Sequence, residues 1–185
     1  MRYSVSRASI EIRAEKIMQL FDTLDPLPYP QKDLAETTEN FIVGWARELP
    51  RAQPIEIVVH VPAAEATGPA AQQLGNAFAT YFRYRADRLD LDLSELFRIG
   101  RWSLLIGMAV LALCMILGRF VGGLFEEGYF RQFFKEGLII LGWVANWRPI
   151  EIFLYEWWPL VRRQKLYRRL SAASVEVRSD ANRVG

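Results

Sequence analysis

The sequence predicts an α+β protein, in which a small cytoplasmic β-α-α-β domain, completed by a C-terminal strand, is joined to a transmembrane helical hairpin. Long apolar runs lie between residues 102 and 161, which also hold five of the six tryptophans, as is typical of membrane-spanning segments. Apolar and polar residues alternate near both ends of the chain, as they do along half-buried strands. Lysine and arginine are concentrated beside the apolar runs, which indicates that both ends face the cytoplasm.

Three segments predict β-strands. SIEIR at 9–13 alternates apolar and polar residues, and SVEVR at 174–178 repeats the pattern. PIEIVVHV at 54–61 is longer and more apolar, as expected of a central strand. Because both ends of the chain are predicted on the same side of the membrane, we expect the last strand to pair with one of the others in a single small sheet.

Two helices are predicted between the first two strands. The first, in AEKIMQLFDTLDPLPYP, is short because it runs into prolines that cannot continue a helix: Pro26, Pro28 and Pro30. The second lies in QKDLAETTENFIVGWARELP, where apolar residues recur at helical spacing and form one face for the sheet: Leu34, Phe41, Ile42, Trp45 and Leu49. A helical segment at 69–101 then connects the domain to the membrane, with an interruption predicted at RLDLDLSEL.

WSLLIGMAVLALCMILG, residues 102–118, predicts the first transmembrane helix, because as a helix this charge-free run extends about 25 Å. A buried helix of a soluble core is the alternative, but such a helix usually carries a polar stripe, and this one has only Ser103. The next apolar run, GLIILGWVANW, is too short to cross alone. The second helix is therefore predicted over 137–158, kinked at Pro149 and lying partly in the interface.

Arg148 and Glu151 interrupt this second helix, and two interpretations stay open. At the cytoplasmic boundary, the arginine would reach the headgroups and pair with Glu151 at i+3. At mid-depth, the charged pair would face a partner helix and mark a functional site. Together with the charged pair, four tryptophans that bracket the region as an aromatic belt does form the predicted membrane or partner interface: Trp143, Trp147, Trp157 and Trp158.

Basic residues predict the orientation. Five arginines precede the first helix between 83 and 101, five basic residues follow the second helix, and three lie in the segment 119–136. The positive-inside rule therefore predicts cytoplasmic termini and a short external turn around Gly122 and Gly123. The opening residues lack the apolar core of a signal peptide. The basic residues after the second helix are also predicted to attract anionic lipid headgroups: Arg162, Arg163, Lys165, Arg168 and Arg169.

The predicted division of the chain follows these changes of composition. Residues 1–68 form the cytoplasmic α+β domain and 69–101 the connecting helical segment. Residues 102–118 form the first transmembrane helix, 119–136 the external turn and 137–158 the second transmembrane or interfacial helix. Residues 159–185 form a cytoplasmic basic tail and the final strand.

No pattern predicts catalysis, a cofactor or a metal. His60 is the only histidine, and no serine or cysteine nucleophile motif accompanies it. Asp90, Asp92 and Glu95 resemble part of a calcium loop whose glycine and distal ligands are missing, so capping and solvation explain them. The single cysteine, Cys114, excludes disulfides and cysteine-based metal sites within one chain. The net charge of +2 is too small to predict nucleic-acid binding.

Four stretches, LFDTLDPLPYPQKDL, FIVGWARELP, IVVHVP and GWVANWRPIEIFLYEWWPL, together resemble a type of small two-span bacterial inner-membrane protein. The resemblance covers nearly the whole chain. It implies a bacterial inner membrane as the location, and it implies no activity and no functional residue.

The predicted function is non-enzymatic: an accessory or scaffold protein that anchors or organises a protein partner at the cytoplasmic face. Its predicted partners are the lipid bilayer and either another protein or further copies of the chain. One alternative is a subunit of an oligomeric channel or transporter, with Arg148 lining the pore. Another is a lipid-acting enzyme at the interface, which would need His60 or the pair Asp90 and Asp92 beside the membrane.

Overall fold

A computed structural model describes residues 8–50, 52–124 and 128–179, and it is a mixed structure of helices and three parallel strands. The strands are β1 (Ala8–Arg13), β2 (Ile55–Val61) and β3 (Ser174–Ser179). The α-helices are α1 (Glu36–Glu48), α2 (Ala63–Ala66), α3 (Pro69–Leu124), α4 (Tyr129–Val144), α5 (Trp147–Glu151) and α6 (Trp157–Ser171). The chain divides into unit 1, residues 1–88 and 162–185, and unit 2, residues 89–161.

The three predicted strands form and share one sheet in the order β1-β2-β3. Both pairings are parallel, with Ile12 beside Val59 and Val59 beside Val177. The central strand is covered on both faces, since Ile57, Val58 and Val59 are all buried. This burial explains why its sequence is a nearly continuous apolar run, whereas the two edge strands alternate.

Unit 1 has an apolar core between the sheet and the helices that belong to it. Aromatic rings form its centre, with Phe82 between Phe78 and Tyr167 at ring-centroid distances of 6.4 and 6.1 Å. Burying side chains of this size contributes about 1.5–3 kcal/mol each. The other fully buried side chains of unit 1 include Ile10, Ile17, Phe21, Ile42, Ile57, Leu74 and Leu170.

The helices between β1 and β2 differ from the prediction in two respects. The first is a four-residue 3-10 helix, Ile17–Leu20, which ends before the proline-rich segment. In α1 the buried face is centred on Ile42 and Ala46, while Phe41 and Trp45 are 44% and 51% exposed. Apolar residues occupy more than half of the circumference of α1, so periodicity alone did not identify which side faces the sheet.

The predicted interruption at RLDLDLSEL is wrong, because α3 runs through it without a break. Leu89 and Leu93 are buried one turn apart, whereas Leu91 is 65% exposed. A short alternation of leucine and aspartate fits a helix as well as a strand when the buried residues stand four apart. Gly122 and Gly123 likewise lie within the end of α3, while residues 125–127 of the predicted external turn lie outside the described residues.

The second helical stretch is interrupted before Pro149. Helix α4 ends at Val144, and a turn at Ala145 and Asn146 precedes α5. Pro149 lies in the first turn of α5, where backbone N–H groups have no acceptor within the helix, so the proline removes no hydrogen bond there. A turn of π-helix, Ile152–Glu156, then joins α5 to α6.

Two helical stretches are long and apolar enough to cross a membrane: Pro69–Val121 and Tyr129–Ser171. Only 11% of the most apolar window of the first stretch, and 22% of that of the second, is buried within the fold. A core helix of a soluble protein would be mostly buried. The exposure of these apolar residues therefore supports association with a membrane.

Candidate functional site

Three charged side chains of unit 2 form one cluster, which we call the boundary triad: Arg148, Glu151 and Glu156. Nη1 of Arg148 donates to Oε2 of Glu151 at 3.1 Å, so the contact predicted from the i+3 spacing is present. The same guanidinium donates to both carboxylate oxygens of Glu156. One positive charge is thus held by two negative charges, which leaves the triad a formal charge of −1 when all three groups are ionised.

Glu156 joins the triad because of the π-helical turn. In a regular α-helix, residues eight apart such as Arg148 and Glu156 are separated by about 80° around the axis. The π turn contains more residues per turn, so it winds more slowly and brings Glu156 round to the side of Arg148. Single π turns of this kind are frequent at functional sites, and sequence spacing alone did not reveal this partner.

Pro159 and Trp157 provide a local explanation for the π turn. The ring of Pro159 would crowd the carbonyl of Tyr155 four residues earlier, and the proline offers that carbonyl no N–H donor. Widening the preceding turn relieves this conflict. The indole Nε1 of Trp157 donates to the backbone carbonyl of Phe153 at 2.9 Å, which stabilises the altered turn.

The predicted tryptophans have unequal surroundings. Trp143, Trp147 and Trp158 are 64%, 67% and 55% exposed within the fold. Trp157 is half-buried, and its ring lies 6.5 Å from that of Trp158. Three of the four indoles are therefore available to lipid or to a partner, while Trp157 is held by the hydrogen bond to Phe153.

Asn146 connects the two helices of unit 2 at a position that the sequence analysis missed. Its side chain is buried, and Nδ2 donates to the carbonyls of Gly107 at 3.1 Å and Gly142 at 2.9 Å. The two glycines allow this close approach. A Cβ at Gly107 would lie 3.0 Å from the carbonyl oxygen of Ala145, and one at Gly142 would lie 3.2 Å from Cα of Leu111. Membrane helices often pack through small residues and a polar side chain that forms a hydrogen bond across the contact. The glycines and the asparagine were therefore the sequence feature from which this contact could have been predicted.

The same contacts define the antiparallel register of the helices within unit 2. Gly107 lies against Asn146, and Gly100 lies against Ile152 and Phe153. Arg148 therefore stands at a level between those of residues 100 and 107. Its two carboxylate partners follow it in sequence, so the guanidinium is directed toward the level of Gly100 and away from the loop end of the hairpin.

The basic residues after the second span are partly used by unit 1 itself. Arg169 donates to the backbone carbonyls of Pro50 and Gln53, the latter at 2.7 Å. The guanidinium of Arg163 lies 5.7 Å from the centre of the Tyr167 ring. Arg162, Lys165 and Arg168 are exposed. Attraction of anionic lipid by this run stays a prediction, and Arg169 has a structural role that the sequence did not indicate.

A second polar cluster, in unit 1, surrounds the carboxylate of Glu39. Oε2 accepts a hydrogen bond from Tyr81 at 2.7 Å, and Oε1 accepts one from Tyr167 at 2.5 Å. Arg85 donates to the same carboxylate from Nε and Nη2 at 2.9–3.2 Å. Glu39 itself is 7% exposed. The cluster joins α1 to residues of α3 and α6 that belong to unit 1. It therefore stabilises the packing of the N-terminal part of unit 1 against its C-terminal part.

The ionisation of Glu39 follows from this geometry. Burial alone would raise the pKa of its carboxyl, but hydrogen bonds from Tyr167, Tyr81 and Arg85, with the positive charge of Arg85, lower the pKa below its usual value. The charged form is therefore the stable one in unit 1. Because the carboxylate joins side chains of three helices, we assign the cluster a structural role.

We expect unit 1 to lose stability in acid because of Glu39. A carboxyl whose pKa is depressed by folding stabilises the fold above its unfolded pKa, near 4.3, and this contribution is lost as the pH falls through the lower folded value. Thermal unfolding of the chain in detergent between pH 6 and pH 3 should show the loss. The Glu39→Gln variant should show a smaller pH dependence over the same interval, and an equal slope in both proteins would contradict the assignment.

The remaining sequence candidates do not converge on a site. His60 lies on β2 with Nε2 3.6 Å from a carboxylate oxygen of Glu11. Asp90 and Asp92 lie on α3. Within residues 8–50, 52–124 and 128–179, no group of three histidine, cysteine, aspartate or glutamate side chains is arranged to hold a metal ion.

Comparison of the chain with protein-family models, with curated proteins and with solved structures found no match.

Proposed function

We propose that this chain is a non-enzymatic scaffold of the bacterial inner membrane, with both termini in the cytoplasm, and that it holds a protein partner at the cytoplasmic face. The surface around the boundary triad carries this proposal. Two carboxylates hold Arg148 in place, and the exposed tryptophans lie close to this cluster in sequence: Trp147 directly precedes Arg148, and Trp158 follows Glu156 by two residues. Tryptophan and arginine are the residue types that most often dominate the binding energy of protein interfaces.

The membrane part of the proposal is supported by exposure and by charge. The apolar windows of both candidate spans are largely unburied within the fold, and exposed apolar area is unfavourable in water. Five basic residues lie on each outer flank and three between the spans, which favours cytoplasmic termini.

The direction of the Arg148 side chain supports a triad near the cytoplasmic boundary. Its partners Glu151 and Glu156 draw the guanidinium toward the level of Gly100, next to the basic residue Arg101. An arginine that is already paired with carboxylates also loses less on leaving water than a bare one does. A partner protein that covers the triad would therefore bury a paired arginine and would have to match only the remaining formal charge of −1.

The proposal is tested by photo-crosslinking in native bacterial membranes. A photoreactive phenylalanine analogue replaces Trp158 in one protein and exposed Leu113 on α3 in a control. We expect a discrete protein adduct from position 158 that mass spectrometry identifies reproducibly. Adducts with lipid alone from both positions would overturn the partner role.

Arg148→Gln should weaken that adduct about tenfold or more, because removing one member of a charge cluster that the partner covers leaves its carboxylates unpaired. Lys135→Gln, an exposed change near the start of α4, is the matched control and should leave the adduct unchanged. An adduct of full intensity in the Arg148 variant would show that the triad does not contribute to the contact.

A further inference from the structure

Strand β1 is an edge of the sheet in the described part of the chain. The amide of Ala14 donates to the carbonyl of His60, and the register pairs Ile12 with Val59. Alternate residues of a parallel strand direct their backbone groups to opposite sides, so Ile12 and Ala14 face β2 while Glu11 and Arg13 face the open side. Among the described residues, no backbone hydrogen bond to another segment uses the outward groups of Glu11 or Arg13.

A groove of about 330 Å³ runs beside this open edge. Residues 11–14 form one wall, and Thr37, Thr38 and Phe41 of α1 line it as well. Phe41 is 44% exposed at this groove, and its ring lies 6.2 Å from that of Trp45, which is also half exposed. The edge is therefore open both in its hydrogen bonds and in the space beside it, which is what an added strand requires.

The charges on β1 are complementary to themselves. Glu11 is 59% exposed and lies 3.6 Å from Nε2 of His60, and Arg13 is exposed with no ion pair among the described residues. If a second copy of β1 lies antiparallel with Ile12 opposite Ile12, each Glu11 stands directly opposite an Arg13. Sliding one strand by two residues in one direction places Glu11 opposite Glu11, and sliding it in the other direction places Arg13 opposite Arg13. Like charges that face each other directly are destabilising.

We propose that β1 pairs antiparallel with β1 of a second copy, centred on Ile12, so that two three-stranded sheets join into one six-stranded sheet. In an antiparallel pair, facing residues whose backbone groups point to the partner strand exchange two hydrogen bonds. Each of the two Glu11–Arg13 pairs is of this kind, and each also forms an ion pair. The contact is isologous and closes as a dimer.

The other edge strand, β3, is a poorer candidate although its sequence SVEVR resembles SIEIR. Arg178 is already paired with Glu176 of its own strand at 2.9 Å. The dimer contact also involves unit 1 alone, so it goes beyond the partner surface proposed for unit 2. Either proposal can fail without the other.

The dimer is tested with the full chain in detergent, by native mass spectrometry and light scattering over a range of protein concentrations. Glu11→Arg and Arg13→Glu each place like charges opposite one another and should each weaken the dimer about tenfold. The double variant E11R/R13E restores opposite charges and should recover the affinity within about threefold. Glu176→Arg on β3 is the matched control and should have no effect.

Glu11→Pro gives a second measurement that does not depend on charge. It removes an outward N–H group and spares the ladder to β2, so edge geometry tolerates the proline in a monomer. We expect a folded monomer by circular dichroism. A wild-type chain that is monomeric at all concentrations, a charge-swapped variant that does not recover, a dimer that survives proline, or oligomers that grow beyond two copies would each overturn the proposal.

Discussion

Replacing Glu39 by alanine is expected to lower the free energy of unfolding of unit 1 by about 3 kcal/mol. The carboxylate accepts hydrogen bonds from Tyr81, Tyr167 and Arg85, and its loss leaves both phenol groups without their acceptor. Tyr167 and Tyr81 are almost fully buried, so water cannot fully replace the carboxylate. The arginine is partly exposed and regains some hydration, which places the expected loss below that of a fully buried ion pair.

Chemical denaturation of the chain in mild detergent, followed by hydrogen exchange of peptides from α1 and β3, measures this effect. Both segments should lose protection together, because the cluster joins the N-terminal and C-terminal parts of unit 1. Glu36→Ala is the matched control, since Glu36 is exposed on the first turn of the same helix. If Glu39→Ala cost no more than the control, the cluster would not be a main support of unit 1.

Gly142→Ala is expected to destabilise the packing of α4 against α3 by about 2 kcal/mol, as overpacking typically does. The added Cβ would lie 2.6 Å from Cδ1 and 3.2 Å from Cα of Leu111. The leucine side chain can rotate away, but the backbone contact requires the helices to separate. Separation would also lengthen the hydrogen bond from Asn146, in the turn after α4, to Gly107 of α3.

Gly137→Ala, on the same helix, is the control, and it is not expected to lower stability. No atom lies within 4 Å of a Cβ added there, so alanine should be neutral or stabilise the helix by about 0.5–1 kcal/mol. Reversible unfolding in mixed micelles, with increasing fractions of a denaturing detergent, compares the two variants. Equal midpoints for Gly142→Ala and Gly137→Ala would contradict the close contact at Gly142.

The differences between prediction and structure have a common physical origin. Helical spacing predicts Phe41 and Trp45 on the buried face of α1, because residues four apart share a face whichever side is buried. The alternating leucines of RLDLDLSEL predict a break, because three alternating residues cannot distinguish a strand from a helix. In both cases the deciding quantity was burial against segments distant in sequence.

Residue spacing in the sequence predicts only one of the two contacts that Arg148 makes in the boundary triad. The i+3 contact of Arg148 and Glu151 was predictable, because helix geometry alone brings such residues together. Glu156 was not, because its contact depends on a π turn that changes the winding of the helix. Pro159, three residues after that turn, was the sequence feature from which a local irregularity could have been anticipated.

By itself, the sequence determined which segments are strands, that the class is mixed α and β, and that two helical stretches are apolar enough for a membrane. These properties depend on the period and composition of neighbouring residues, which are local. Only the tertiary structure decided that both strand pairings are parallel, that Glu39 contacts Tyr167 across 128 residues of chain, and that Asn146 donates a hydrogen bond to Gly107. Such contacts depend on how remote segments pack together, and no local pattern in the sequence encodes that distance.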